Sequence, residues 1–202
     1  MHLPHTHLPR LTRADLMNLE QYSTARKDFR AKVLEHKRNR IVAIGPSASW
    51  CFEDQLLVQY QVQEMLRIER IFEAQGIQEE LDAYNPLIPD GSNWKVTFLL
   101  EFPDVDERRV RLAALRNVED RCWVQVAGHE RVWAIADEDL DRENEEKTSS
   151  VHFLRFELTP QMRAAVRHGA DIGIGIDHEN YRHEVQPLPR PVRDSLAKDL
   201  RE

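Results

Sequence analysis

The chain has 202 residues, 41% of them apolar and 31% charged, with a net charge of −7. That composition supports one water-soluble domain with a sizeable core, and its acidity argues against a protein whose main task is neutralising nucleic-acid phosphates. No apolar run approaches the roughly 18–20 residues of a membrane span.

The opening MHLPHTHLPR lacks the apolar stretch of a secretory signal. Cys51 and Cys122 stand far apart and outside any CxxC pattern, so neither a disulfide framework nor a cysteine-bound metal or cluster is expected. The cytoplasm is the expected compartment, with no resident cofactor. Residues 1–10 read as a flexible tail before a single domain over 11–202. His2, His5 and His7 fall in that Pro-containing tail, where chain ends usually fray.

LTRADL opens a helix, with Thr12 and Asp15 spaced as a capping box and Leu11 and Leu16 as a hydrophobic staple. The helical pattern runs to about Asn39. RIVAIG (40–45) reads as a strand, Pro46-Ser47 as a turn and SWCFE (49–53) as a return strand. Asp54 caps a second long helix expected to end near Gly76. IQEELDAY is a short helix and NPLIPDGSN a loop.

WKVTFLLEF (94–102) reads as a strand, and 105–118 as an arginine-rich helix. RCWVQVA and RVWAIAD form a hairpin at Gly128-His129, and 136–147 is an acidic connection. SSVHFLRFEL is a strand, TPQMRAAVRHG a helix with a Thr-Pro start, ADIGIGID a strand and PVRDSLAKDL a closing helix. The expected fold is α+β: a largely antiparallel sheet against two long N-terminal helices and shorter later ones.

The unusual feature is charge inside apolar stripes. At 100° per residue, Val58, Val62, Met65 and Phe72 share one arc of the second helix, and Glu69 falls in its middle. Gln61 and Asp54 lie near the edge of that arc. On the first helix, Leu19, Tyr22, Phe29 and Val33 share a stripe that includes Arg26, with Arg30 beside it. A lone buried carboxylate is prohibitively costly, so Glu69 is expected to meet Arg26 or another inward arginine. Such groups either form an ion pair that fixes how two helices sit, or line a polar pocket for a ligand or metal.

SSVHFLRFEL adds a second cluster. Period-two alternation puts Phe153, Arg155 and Glu157 on one face and His152, Leu154 and Phe156 on the other. Arg155 and Glu157 would pair with each other or extend the Glu69 network. His152 reads as a hydrogen-bonded core histidine before a ligand. In DHENYRH (177–183), Asp177, His178 and His183 offer metal-binding side chains, but the spacing fits a solvated loop better. The glycines of DIGIGIDH alternate with inward isoleucines and suggest a helix packed closely over the sheet, not a phosphate cradle.

RKDFRAKVLEHKRNR is strongly basic, and on an acidic protein it suits a solvated face or a docking patch for an acidic partner. Glu64, Glu69 and Glu73 share a helix that has no histidine, which excludes a di-iron carboxylate bundle. GxSxG, P-loop and HExxH patterns are all missing. Cys51, between Trp50 and Phe52, reads as an inert thiol.

FEDQLLVQYQVQEMLRIERIFEAQGIQEELDAYNPLIPDG, together with SSVHFLRFEL and DHENY, resembles a bacterial family known as domain of unknown function 3501. The resemblance runs from about Leu11 over nearly the whole chain and carries no assigned activity. It implies a context: genes of the family often lie beside those for rubrerythrin-like proteins and iron–sulfur proteins similar to a heterodisulfide reductase subunit. Redox or peroxide-stress work in the cytoplasm follows as an expectation. The chain would then be an accessory partner of an iron–sulfur oxidoreductase or rubrerythrin-like protein, with the basic first helix and the acidic 136–147 segment as docking surfaces. The alternative is a small-anion- or metal-binding protein, an enzyme included, with Arg26, Glu69, Arg155 and Glu157 around a pocket.

Overall fold

The computed structural model describes residues 10–136 and 148–201. The tail histidines and residues 137–147 of the acidic connection lie outside them. The first half carries α1 (Leu19–Lys37), β1 (Ile41–Ala43), β2 (Ala48–Phe52), α2 (Gln55–Ile68), α3 (Ala74–Tyr84) and β3 (Asn93–Leu100). The second half carries α4 (Val105–Ala114), β4 (Cys122–Val126), β5 (Arg131–Trp133), β6 (Ile135–Ala136) and β7 (Val151–Glu157). It closes with α5 (Pro160–Arg167), β8 (Ile172–His178), β9 (Tyr181–Val185) and α6 (Arg190–Leu196).

The fold is α+β, and every strand pairing is antiparallel. The strands divide into two sheets, ordered β1-β2-β3-β7-β6 and β5-β4-β8-β9. Alternation along β3 and β7 sends Trp94, Phe98, Leu154 and Phe156 inward. Those side chains, with Trp50 and Phe52, share one core cluster with Val124, Val126, Ile172, Ile174 and Ile176 of the second sheet. Each large apolar side chain fully buried there is worth about 1.5–3 kcal/mol. Helices α1 to α3 hold smaller clusters of their own: Val58, Val62, Leu66 and Leu81 form one, and Val33 and Leu57 meet Cys51 of β2 in another.

Four local expectations are corrected. The Thr12–Asp15 cap exists, with the Asp15 carboxylate accepting from the Thr12 backbone and hydroxyl at 2.7 Å each, but it closes only a three-residue turn. The long helix begins later, at Leu19, with Asn18 and Gln21 capping reciprocally. The break comes from tertiary structure: the buried Gln63 amide takes both the N–H and the carbonyl of Met17, at 2.6 and 3.2 Å. Asn85 clamps Leu11 in the same way, at 2.8 and 3.0 Å.

Helix α2 stops at Ile68, eight residues before Gly76. Arg70 turns left-handed (φ 55°), and the Ile71 N–H reaches back to the Leu66 carbonyl, the closure glycine usually supplies. Gly76 instead lies in the first turn of α3, where a Cβ would come within 2.8 Å of Ile71. DHENYRH is a tight hairpin between β8 and β9, with His178 opposite Tyr181, and not a loop. Gly173 and Gly175 make room for side chains of Gln186 and Trp123, where a helix was expected.

Candidate functional site

The structure separates the residues the sequence grouped. Arg26 does meet a glutamate of α2, and that glutamate is Glu64. Arg26 Nε and Nη2 donate to the two Glu64 carboxylate oxygens at 2.8 and 2.9 Å, a forked ion pair. The Tyr22 hydroxyl donates to the same carboxylate at 2.6 Å, and Arg67 adds a longer contact at 3.4 Å. The Arg26 fork holds the Glu64 carboxyl down at about 2 against its partial burial, while burial and the bond to Glu64 push the Tyr22 phenol up.

Glu69 is the correction. Its direction on the helical wheel does match Val58 and Val62, but the helix ends one residue earlier, so Glu69 caps it in solvent. Phe72, placed on the same arc, is 73% exposed for the same reason. Gln61 and Arg30 are exposed too, and the buried amide of α2 is Gln63.

Arg155 and Glu157 pair with each other on the outward face of β7. Glu157 also accepts from Asn93 at 2.8 Å and Ser92 at 3.2 Å. Arg26 thus pairs with Glu64 and Arg155 with Glu157; among the described residues the four-residue pocket around Glu69 does not form. His152 is fully buried, with Nε2 at 2.9 Å from the Thr148 hydroxyl and 3.8 Å from Glu119, beside the Phe98 ring. His178 uses both ring nitrogens to shape the hairpin, one against the Arg116 carbonyl at 2.9 Å and one accepting the Asn180 N–H at 3.1 Å. His183 is exposed on β9, edge-on to Tyr181. Among the described residues, no three His, Cys, Asp or Glu side chains come together as a metal site.

The most buried charge escaped the sequence reading. Arg40, 1% exposed, donates to the Phe52 and Glu53 carbonyls at 2.8 and 3.0 Å and forks onto Asp199 at 3.1 and 2.6 Å. Asp54, the cap of α2, lies 3.6 Å from Arg40 and accepts from His36 at 2.5 Å. Burial pushes the Asp199 carboxyl up to about 6 while Arg40 pulls the other way. The pair joins the start of β1 to the C-terminal turn, some 160 residues apart in sequence, and no local period marks it. Burial raises both thiols, Cys51 to about 12 and Cys122 well above its ordinary value, which leaves them poor nucleophiles.

The solvent side of α1 carries the other local feature. Lys27, Arg30, Leu34 and Arg38 fall within an arc of about 80°. All four are exposed, Leu34 by 46%. Arg38 pairs with Glu35 at 2.9 Å, whereas Lys27 and Arg30 make no ion pair among the described residues. Behind this stripe, the Arg26–Glu64 fork and the Phe29–Tyr60 contact hold α1 against α2. No helix among the described residues is long and apolar enough to cross a membrane.

Comparison with known proteins gives a family and no activity. The model of the family described as "Protein of unknown function (DUF3501)" matches residues 10–200. A crystal structure described as that of a "novel protein of unknown function" from Burkholderia pseudomallei K96243 is similar at 47% identity and a TM-score of 0.91. The match covers 96% of this chain and 100% of that one. Among curated proteins no significant match is found. With nearly its whole length matched, the chain belongs to the family of domain of unknown function 3501.

Proposed function

We propose that this protein is an accessory binding partner of a cytoplasmic redox system of the iron–sulfur or rubrerythrin type, with no redox centre of its own. The observation that carries the proposal is the basic stripe of Lys27, Arg30 and Arg38 around the exposed Leu34, on a chain whose net charge is −7. A localised positive strip with an apolar residue at its middle suits an acidic protein surface: the charges steer the encounter, and the leucine supplies contact that salt does not screen. The gene context that the family resemblance implies names the candidates for that acidic partner.

The test is a titration of the purified protein with an iron–sulfur protein and a rubrerythrin-like protein of the kinds that the family resemblance implies, at low and at high salt. A complex with one of them is expected, weakening as salt rises. Lys27→Glu with Arg30→Glu should weaken it roughly tenfold or more, while Arg109→Glu on α4 should leave it unchanged. Absence of a complex with both at low salt, or indifference to the double reversal, would overturn the proposal.

A further inference from the structure

A small, partly open pocket of about 150 Å³ lies between the β1–β2 turn, Phe102 after β3, the C-terminal part of α4 and the β8–β9 hairpin. Its walls are held from several sides. The Tyr181 hydroxyl donates to the Ile44 carbonyl at 2.7 Å and accepts the Ser47 N–H at 3.0 Å, pinning the turn to the hairpin. Asn180 donates to the Ala114 carbonyl at 2.8 Å and His178 meets the Arg116 carbonyl at 2.9 Å, pinning the hairpin to α4.

Gly45, at φ +73°, lies so close to His183 that a Cβ would sit 2.6 Å from its ring. The imidazole is thereby held between that backbone and the Tyr181 ring, whose centroid is 4.6 Å away. This exposed histidine is fixed in place although it makes no hydrogen bond or ion pair among the described residues.

The chemistry of the lining is one-sided. Phe102, Leu115 and Pro46 supply apolar surface, while Arg111, His183 and Ser47 supply polar groups, and among the described residues no Asp or Glu lines the pocket. Arg111 reaches Glu107 only at 3.4 Å, through Nε, and its two terminal nitrogens have no partner among the described residues. The Ser47 hydroxyl has none either. A guanidinium and a hydroxyl without a lining carboxylate, above an apolar floor, favour an anion with an apolar body. The volume matches a cavity that holds a ligand the size of benzene, about six non-hydrogen atoms.

We propose that this pocket binds a small monocarboxylate, with Arg111 and Ser47 on the carboxylate and the short hydrocarbon body against Phe102 and Leu115. A guanidinium fork fits a planar carboxylate, whereas inorganic phosphate would leave the apolar floor uncovered. The site uses none of the elements of the α1 stripe, so its occupancy can be read independently of docking.

The probe is butyrate, followed by NMR chemical-shift titration of the full chain, with butyramide and inorganic phosphate as controls. Saturable shifts in the 45–47 turn and at Tyr181 and His183 are expected with butyrate in the millimolar range. Butyramide and the Arg111→Gln protein should each bind roughly tenfold weaker or less tightly still. Arg111 is a surface residue, so its variant is expected to fold, and an unchanged far-field spectrum checks that. Gly45→Ala, which displaces His183, should also weaken binding. No saturable shift with butyrate, equal binding of butyramide or of phosphate, or full binding by a folded Arg111→Gln would each overturn the assignment.

Discussion

Two forked arginine–carboxylate pairs hold this protein together, and they differ in nearly everything but geometry. Arg26–Glu64 joins neighbouring helices at the surface side of their contact, and its carboxyl is pulled down to about 2. Arg40–Asp199 is sunk beneath two strand-end carbonyls and joins the start of β1 to the C-terminal turn, and its carboxyl is pushed up to about 6. Water makes the difference. Where solvent still reaches the pair, hydrogen bonding wins and the ionised form is favoured. Where solvent is excluded, desolvation outweighs the same fork.

The largest effect expected from breaking this symmetry is at Arg40. Arg40→Met strands the Asp199 carboxylate together with the Phe52 and Glu53 carbonyls, and a loss of about 3–5 kcal/mol in urea unfolding is expected. A loss no greater than that of a surface substitution would show that the buried fork is dispensable.

The second expectation sharpens the contrast through pH. Folded Asp199 keeps its proton to about pH 6, whereas an ordinary aspartic acid releases it near 3.8. Between those values the folded chain binds more protons, so the contribution is complete below about 3.8 and lost as the pH rises through 6. At about 1.4 kcal/mol per pH unit the span is worth ~3 kcal/mol. Arg40 pairs with this carboxyl, and the charges of Asp54 and His36 also act on it, so the comparison is with Asp199→Asn, in which the slope across that window should flatten.

Glu64 runs the other way. Its contribution is complete above its ordinary 4.5 and lost as the pH falls through about 2. Glu64→Gln should therefore flatten only the acid end of the unfolding curve. If the two variants altered each other's window, the assignments of burial and pairing would be reversed.

The smallest effects separate Glu64 from Glu69. Glu64→Gln removes an acceptor that Tyr22, Arg26 and Arg67 all use, and its urea midpoint should drop by less than that of Arg40→Met. Glu69→Gln alters an exposed helix cap and should stay within about 0.5 kcal/mol of the parent. A drop at Glu69 as large as at Glu64 would place the wrong carboxylate against α1.

These residues show how far the sequence reaches. Arg26 was legible because an arginine inside an apolar stripe needs a partner on the helix it faces. The identity of that partner was not, since the wheel was drawn through Arg70 to Gly76, and an arginine gives no sign that it will turn left-handed. Ile172, Ile174 and Ile176 were legible from alternation, and so was the hairpin at Gly128. The β9 strand was missed because its exposed Arg182, His183 and Glu184 resemble loop composition. Among the polar groups, Arg155 and Glu157 share a strand face by period alone, whereas Arg40 and Asp199 share nothing until the chain closes.

The sequence by itself determined the α+β class, most strand and helix positions and the inward face of Ile172, Ile174 and Ile176, because those follow from local period and local capping. Only the tertiary structure decided the division into two sheets, the break before Leu19 and the choice of Glu64 over Glu69. It alone formed the Arg40–Asp199 knot and the pocket beneath Arg111. The physical reason is the same in each case: a side chain from a distant segment supplies the hydrogen bond, the counter-charge or the wall, and neither propensity nor spacing carries information about which segment that will be.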